Sequence, residues 1–321
     1  MSELYPWLTT TWRCWRDNLV SNRVANVLLL TAEPGLGVEQ LTEQFSLALM
    51  CSHQSDQACG FCHSCQLMAS HNHPDYHLVQ PEKEGKTISV DQIRQCNRWA
   101  QESSQLSGKR LIIIQPAQMM TESAANALLK TLEDPPAQCI FILLAERSSQ
   151  LLPTIVSRCQ HWHVAPPMVE SAIEWLSEQC GKACPDYVVS LANNAPVLAK
   201  QLFEQGQVAS YQEIESKLLG CLNGDSLVML DLAAQLAKEP GIRLGWLWQL
   251  LADAQKCHFG IASLGQLPAA KSLAEMLDYD RLYQASEQLA QLQHQLTQYS
   301  GLNAELLITD WLISIKEETC L

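Results

Sequence analysis

One stretch, residues 25–51, constrains the fold more than any other, because it reads as a strand, a glycine-bearing loop and a helix. Its sequence is ANVLLLTAEPGLGVEQLTEQFSLALMC. The apolar start is typical of a buried strand, and Leu41, Phe45 and Ala48 recur at helical spacing. A strand that turns through glycines into a helix is the arrangement that cradles phosphate groups. The stretch therefore predicts an α/β fold.

The loop in this stretch keeps the spacing of a phosphate loop but lacks its chemistry. In the pattern G-x-x-x-x-G-K-[ST], the aligned residues are, in order, Ala32, Gly37, Val38 and Glu39. Pro34 and Gly35 still suit the turn. However, Val38 replaces the lysine that neutralises phosphates, and Glu39 replaces the hydroxyl that holds magnesium, with Glu33 nearby. The loop is thus either a nucleotide site that has lost its nucleotide or a chance resemblance.

Length, composition and charge bound the function classes. The 321 residues, 47% of them hydrophobic, suffice for two or three domains with real cores. The formal net charge of −13 opposes a surface that grips nucleic acid by itself, because phosphate binding needs clustered Lys and Arg. No apolar run reaches the roughly 18 residues that span a bilayer, and no signal peptide is evident. We therefore expect a cytoplasmic protein with no membrane partner.

Four of the thirteen cysteines stand close together. Cys51, Cys59, Cys62 and Cys65 form C-x7-C-x2-C-x2-C, a spacing that predicts a closed, structural zinc site. A redox pair or unliganded thiols remain the alternatives. Histidines of the same region are candidates to replace a cysteine, but a lone His in a polar loop is more often solvated; they are His53, His63, His71 and His73.

The two acidic residues that a nucleotide-hydrolysing site needs are missing as well. The runs 111–114 and 139–144 are continuously apolar, as in parallel strands buried on both faces. In an ATPase, the first of these strands ends in two acids that hold magnesium and activate water. Here Gln115 and Pro116 stand in those places. Because two independent positions are lost, we predict that this domain does not hydrolyse nucleotide.

Two further strings carry a family resemblance. The helix 123–133 ends in NALLKTLEDPP, residues 126–136, and Ser157-Arg158-Cys159 follows after the next strand. Together with the cysteines, these strings resemble the clamp-loader branch of the AAA+ ATPases, and the likeness extends to GLNAELLITDWL at 301–312. The resemblance implies an α/β AAA+ core with a parallel sheet and an inserted zinc module, followed by a small helical lid domain and an all-α collar domain. The implied ranges are 1–166 for the RecA-like core, with the zinc module at about 51–65, 167–207 for the lid and 208–321 for the collar.

The resemblance also implies a role for Arg158. In such loaders, an arginine of the Ser-Arg-Cys motif reaches the γ-phosphate held by a neighbouring subunit, so Arg158 would be an arginine finger acting in trans. An ordinary arginine that pairs locally is the alternative. The usual sensor positions are also altered, since Leu144-Ala145-Glu146 lacks a threonine or asparagine and Val197 stands where a second sensor arginine is expected.

The predicted function follows from the contrast between the altered nucleotide positions and the matching Ser-Arg-Cys motif. The resemblance implies a non-catalytic, stator-like subunit of a replicative polymerase clamp loader that binds no ATP itself. Its implied partners are ATPase subunits of the gamma/tau type and delta, with the sliding clamp and primed DNA reached through the complex. An ATPase with an atypical loop is one alternative. Another is a zinc-dependent, DNA-binding AAA+-like protein of repair or recombination, which the absence of Lys and Arg between Cys51 and Cys65 opposes.

The last third of the chain is predicted to be helical, with apolar stripes that favour a core. The stripes are Leu227, Leu230 and Ala234; Leu244, Leu247 and Leu251; Leu282, Ala285, Leu289 and Leu292; and Ile308, Leu312 and Ile315.

Overall fold

A computed structural model describes residues 4–53, 57–83, 85–106, 108–180, 184–261, 264–299 and 301–317. The chain divides into two compact units, Met1–Pro166 and Pro167–Leu321. The predicted domain limits at about 166 and 207 stay predictions. No helix within the described ranges is both long and apolar enough to cross a membrane.

The first unit is built on a parallel sheet, as predicted. Its described strands are β1 (Val27–Ala32), β2 (Tyr76–Val79), β3 (Arg110–Ile114), β4 (Cys139–Ala145) and β5 (Gln160–Val164). They lie in the order β2-β3-β4-β1-β5, and each neighbouring pair is parallel. The three central strands are buried along almost their whole length, which explains their continuous apolar runs.

Helices connect these strands, because parallel strands need long crossovers. They are α2 (Val38–Met50), α3 (His63–Ala69), α4 (Val90–Gln101), α5 (Glu122–Glu133) and α6 (Pro153–Val156), and α1 (Thr9–Val20) precedes β1. A capping box begins α4, since the Ser89 hydroxyl accepts from Gln92 N–H and the Gln92 side chain accepts from Ser89 N–H. Pro135 and Pro136 follow the end of α5, as the sequence predicts.

The second unit is helical throughout its described residues. Its helices are α7 (Val169–Cys180), α8 (Tyr187–Leu191), α9 (Pro196–Glu204), α10 (Gln207–Leu222), α11 (Ser226–Leu236), α12 (Pro240–His258), α13 (Ala270–Met276), α14 (Tyr279–Gln298) and α15 (Ala304–Glu317). The predicted stripes of α12, α14 and α15 are buried. The predicted stripe of α11 is wrong at Leu230, which is 63% exposed, whereas Met229, Leu232 and Leu236 are buried. Ala234 is half-buried, and the side chain of Leu227 lies outside the described part of the chain. That helix is apolar on most sides, so its periodicity does not select a face.

Candidate functional site

A cavity of about 490 Å³ opens where strands β1, β3 and β4 end. In open parallel sheets, ligands bind at the carboxyl ends of strands where neighbouring crossovers leave in opposite directions, and β1 and β4 are such a pair. The structure brings all the predicted loop and strand-end positions together in its lining: Ala32, Gly35, Gly37, Val38, Glu39, Gln115, Pro116, Leu144, Ala145 and Glu146. Val197 lies in the second unit, in the first turn of α9.

Two carboxylates beside the glycine turn, those of Glu33 and Glu39, line the cavity. Val38 is the first residue of α2, and Glu39 lies exposed in the first turn of that helix. Glu33 forms an ion pair with Arg147, at 3.0 Å between the carboxylate and Nη2. The N-terminus of α2, which attracts anions, thus already has carboxylates of the chain itself nearby. The cationic side chains that line the cavity come instead from the loop after β2, at Lys83 and Lys86.

The glycine turn itself is preserved, and it is braced from the N-terminal segment. Gly37 is left-handed, with φ of 67°, and a Cβ placed on it would overlap the Tyr5 ring. Tyr5 N–H donates to Gln40 Oε1 at 3.0 Å, and Trp7 Nε1 donates to the Leu36 carbonyl at 2.8 Å. The Tyr5 and Trp7 rings stack with centroids 5.1 Å apart. Sequence reasoning missed this brace, because about thirty residues separate its two sides.

Arg158 lies on a short turn between α6 and β5. Its Nη1 donates to the Thr154 carbonyl at 2.8 Å, and its Nη2 contacts Glu133 Oε1 at 3.0 Å. The side chain is 31% exposed, while Nε is buried with no hydrogen-bond partner in the described residues. The local pairing that the sequence left as an alternative is therefore present, and the guanidinium still reaches the surface.

The residues on either side of Arg158 fix the turn. Ser157 Oγ donates to the Thr154 carbonyl at 3.2 Å, so one carbonyl holds both Ser157 and Arg158. Cys159 Sγ donates to the Ile155 carbonyl and packs against the core of the first unit. Burial raises the pKa of Cys159 to about 11, so it remains a thiol. Ser157 and Cys159 thus hold the turn through hydrogen bonds to backbone carbonyls, and Arg158 extends from the turn to the surface.

The four predicted cysteines come together in a second candidate site. The sulfur atoms of Cys51, Cys59, Cys62 and Cys65 all lie within 4.8 Å of one another. The separation of Cys59 Sγ and Cys65 Sγ is 3.9 Å, close to the ~3.8 Å between ligands of tetrahedral zinc at 2.3 Å from each sulfur. Gly60, with φ of 77°, allows the knuckle between the ligands. The cluster has the geometry to hold a metal ion.

The electrostatics of the cluster also favour a cation. Burial raises the pKa of Cys65 to about 12. Burial acts in the same direction on Cys62, but the N–H groups of Cys65 and Ser52 that face its sulfur outweigh it and lower the pKa of Cys62 to about 5. Four thiolates at this spacing repel one another, so full ionisation requires a bound positive charge.

One histidine of this region is not solvated. His53, His63 and His71 are exposed, but His73 is buried. Its Nδ1 accepts from Asp75 N–H at 3.1 Å, and its Nε2 lies 2.8 Å from Ser64 Oγ, which in turn donates to the Met50 carbonyl. Burial lowers the pKa of His73. The expectation of a solvated histidine is wrong for His73, which instead ties the cysteine segment to α2 and β2.

Comparisons with known proteins agree with this geometry. Two family models match the chain: "DNA polymerase III, delta subunit" over residues 7–168, and "DNA polymerase III, delta subunit, C terminal" over residues 206–317. The parallel α/β unit, the altered nucleotide loop and the Ser-Arg-Cys turn, taken with these matches, define a clamp-loader subunit with an AAA+-like fold.

Individual relatives show which clamp-loader subunit family the chain belongs to. DNA polymerase III subunit delta′ of Haemophilus influenzae is 33% identical over 99% of this chain and 98% of its own length. Subunit delta′ of Yersinia pestis is 35% identical over 97% of this chain and 94% of its own length. The chain belongs to the DNA polymerase III subunit delta′ family. Among solved structures, a DNA polymerase III gamma subunit-related protein from Thermotoga maritima aligns over 98% of this chain and 99% of its own, with 19% identity and a TM-score of 0.46.

Proposed function

We propose that this clamp-loader subunit has no ATPase activity of its own and donates Arg158 in trans to a neighbouring ATPase subunit. The observation that carries the proposal is an asymmetry within the first unit. A partly exposed guanidinium is held on a turn fixed by Ser157 and Cys159, whereas the phosphate loop carries Val38 and Glu39. A positioned guanidinium that stabilises charge on a transferring phosphoryl group can accelerate the reaction by about 10³ to 10⁵.

The residues that line the cavity support the proposal that this subunit binds no nucleotide. A triphosphate seated on the loop would meet the carboxylate of Glu39, and that of Glu33 beside Arg147, without the lysine that a phosphate loop supplies. Magnesium would find Gln115 and Pro116 in place of two acids, so neither the ion nor the attacking water would be held. The two lysines among the described lining residues follow β2 and are not part of the phosphate loop.

The second part of the proposal is that the cysteine cluster holds structural zinc. The four sulfur atoms would fill a tetrahedral zinc site and leave no open position for a reacting water. Zinc would neutralise the thiolates and close the segment 51–65 into a compact knuckle. The segment has no Lys or Arg, so a direct role in DNA binding is poorly supported.

The third part concerns partners. As a delta′-type subunit, the protein would assemble with ATPase subunits of the gamma/tau type and with delta, reach the sliding clamp and primed DNA through that complex, and act in the cytoplasm. The second unit carries a surface suited to subunit contact. Phe259 packs edge-on against Tyr279 at 5.1 Å, Tyr279 stacks on Tyr283 at 6.3 Å, and Ile261 and Leu264 are exposed as well.

The experiment that tests the proposal is reconstitution of the loader with Arg158→Ala. We expect the complex to assemble normally, because Arg158 is a surface residue whose neighbours fix the turn without it. We expect the ATPase rate stimulated by clamp and primed DNA to fall at least tenfold at the affected site, since an arginine finger acts on the transition state.

Arg94→Ala is the matched control, because Arg94 also forms an exposed ion pair, with Asp91 at 2.9 Å. Its ATPase rate should equal that of the wild type. A wild-type rate for Arg158→Ala in an intact complex would refute the role of the finger.

A further inference from the structure

Arg158 is held by a carboxylate on a different element. Glu133 is the last residue of α5, and its Oε1 lies 3.0 Å from Nη2 of Arg158. The two residues are 25 positions apart, so the contact depends on the fold and not on a local turn. The carboxylate is 65% exposed and the guanidinium 31% exposed, so both stand at the surface where a neighbouring subunit could approach.

The position of Glu133 is unfavourable for the helix taken alone. The C-terminus of a helix carries partial negative charge, so a carboxylate in the last turn is disfavoured and a cation is favoured. Arg158 supplies that cation. Glu133 and the end of α5 together create a negative field that fixes where the guanidinium lies.

The contacts leave the arginine able to bind phosphate. Of the five N–H donors of a guanidinium, one on Nη1 is used by the Thr154 carbonyl and one on Nη2 by Glu133, while Nε is buried. Each terminal nitrogen keeps a second N–H. Two donors on one planar group match the geometry of phosphate oxygens.

We infer that Glu133 is a positioning residue that holds Arg158 in its phosphate-directed orientation before the neighbouring subunit arrives. The inference rests on the proposed role of Arg158 as a finger. A long flexible side chain loses rotamer freedom when it is fixed in a transition state, and two contacts made in advance reduce that loss. The effect belongs to the catalytic step, because the finger acts on the transferring phosphoryl group and not on the resting nucleotide.

The test is a double-mutant cycle in the reconstituted loader with clamp and primed DNA. The variants are Glu133→Ala, Arg158→Ala and the double variant, with the ATP concentration varied for each. We expect Glu133→Ala to lower kcat roughly threefold to tenfold, with the half-saturating ATP concentration within about twofold of the wild type. In the Arg158→Ala background, removing Glu133 should have no further effect, because it acts through the arginine.

Asp134→Ala is the matched control, since it removes the same charge one residue further on, whereas the ion pair of Arg158 is with Glu133. Its kcat should equal that of the wild type. Size-exclusion chromatography confirms that each complex is intact.

The outcomes separate the two proposals. If Arg158→Ala lowers kcat but Glu133→Ala leaves it unchanged or raises it, Glu133 does not position the finger, although the finger itself stands. A further loss in the double variant also overturns the inference, since Glu133 would then act without the arginine. If Arg158→Ala has no effect, the finger and its positioning residue both fail.

Discussion

Gly37 has a structural reason to be glycine that does not involve nucleotide. Its φ of 67° lies in the left-handed region, and the Tyr5 ring occupies the space that a side chain would need. The packing of Tyr5 therefore requires glycine at this position whether or not the loop binds a phosphate. The glycine spacing in the sequence therefore reflects the packing of this loop as well as the phosphate-loop pattern.

We predict that Gly37→Ala destabilises the protein by about 3 kcal/mol, through left-handed strain of about 1 kcal/mol and overpacking against Tyr5 of about 2 kcal/mol. Gly108→Ala is the control, since Gly108 has a φ of 71° in the same unit but open space around it. It should lose only about 1 kcal/mol. Urea unfolding of the variants measures both values, and equal losses would show that the Tyr5 contact has no energetic effect.

At the scale of elements, the cysteine segment joins α2 to β2 through two kinds of contact. Cys51 follows the last residue of α2, so the proposed metal would bind at the end of that helix. Ser64 and His73 make a second tie, which reaches the Met50 carbonyl and the backbone before β2. These hydrogen bonds hold the segment at Ser64, and we expect the metal to hold the rest of the knuckle 59–65.

We predict that the purified protein holds about one zinc per chain and that Cys65→Ser removes it, because a buried hydroxyl is a poor zinc ligand. The control is Cys14→Ser, an exposed cysteine outside the cluster. Elemental analysis gives the metal content of each variant. A metal-free wild type with an intact thermal transition would contradict the proposal.

At the scale of the whole molecule, the protein combines a nucleotide-type cavity with residues that we expect to disfavour nucleotide binding. The loop, the end of β3 and the end of β4 come from three separate parts of the chain, and all three lack the expected catalytic groups. Arg158, in contrast, is retained on a fixed turn. This division fits a subunit that completes the active site of a neighbour.

We predict that the isolated chain binds Mg·ATP no more tightly than about 1 mM. The variant with Val38→Lys and Glu39→Thr together should bind at least tenfold more tightly, because it replaces a carboxylate and adds a cation at the phosphates. It should not hydrolyse ATP, since Gln115 and Pro116 are unchanged. Titration calorimetry measures the affinities, and micromolar binding by the wild type would refute the prediction.

The sequence by itself determined the features that depend on local spacing. Continuous apolar runs located β3 and β4, and the cysteine spacing identified the cluster that the fold assembles. The altered positions Val38, Glu39, Gln115 and Pro116 were readable because a phosphate loop and a strand end have fixed registers.

Only the tertiary structure decided the contacts between distant residues. The brace of Tyr5 on Gly37, the pairing of Glu133 with Arg158 and the burial of His73 each join separate elements. The buried face of α11 was also beyond the sequence, since Leu230 and Met229 are both apolar and only packing distinguishes them. The physical reason is the same in each case: periodicity reports what a segment can bury, whereas the partner that covers it is set by the fold.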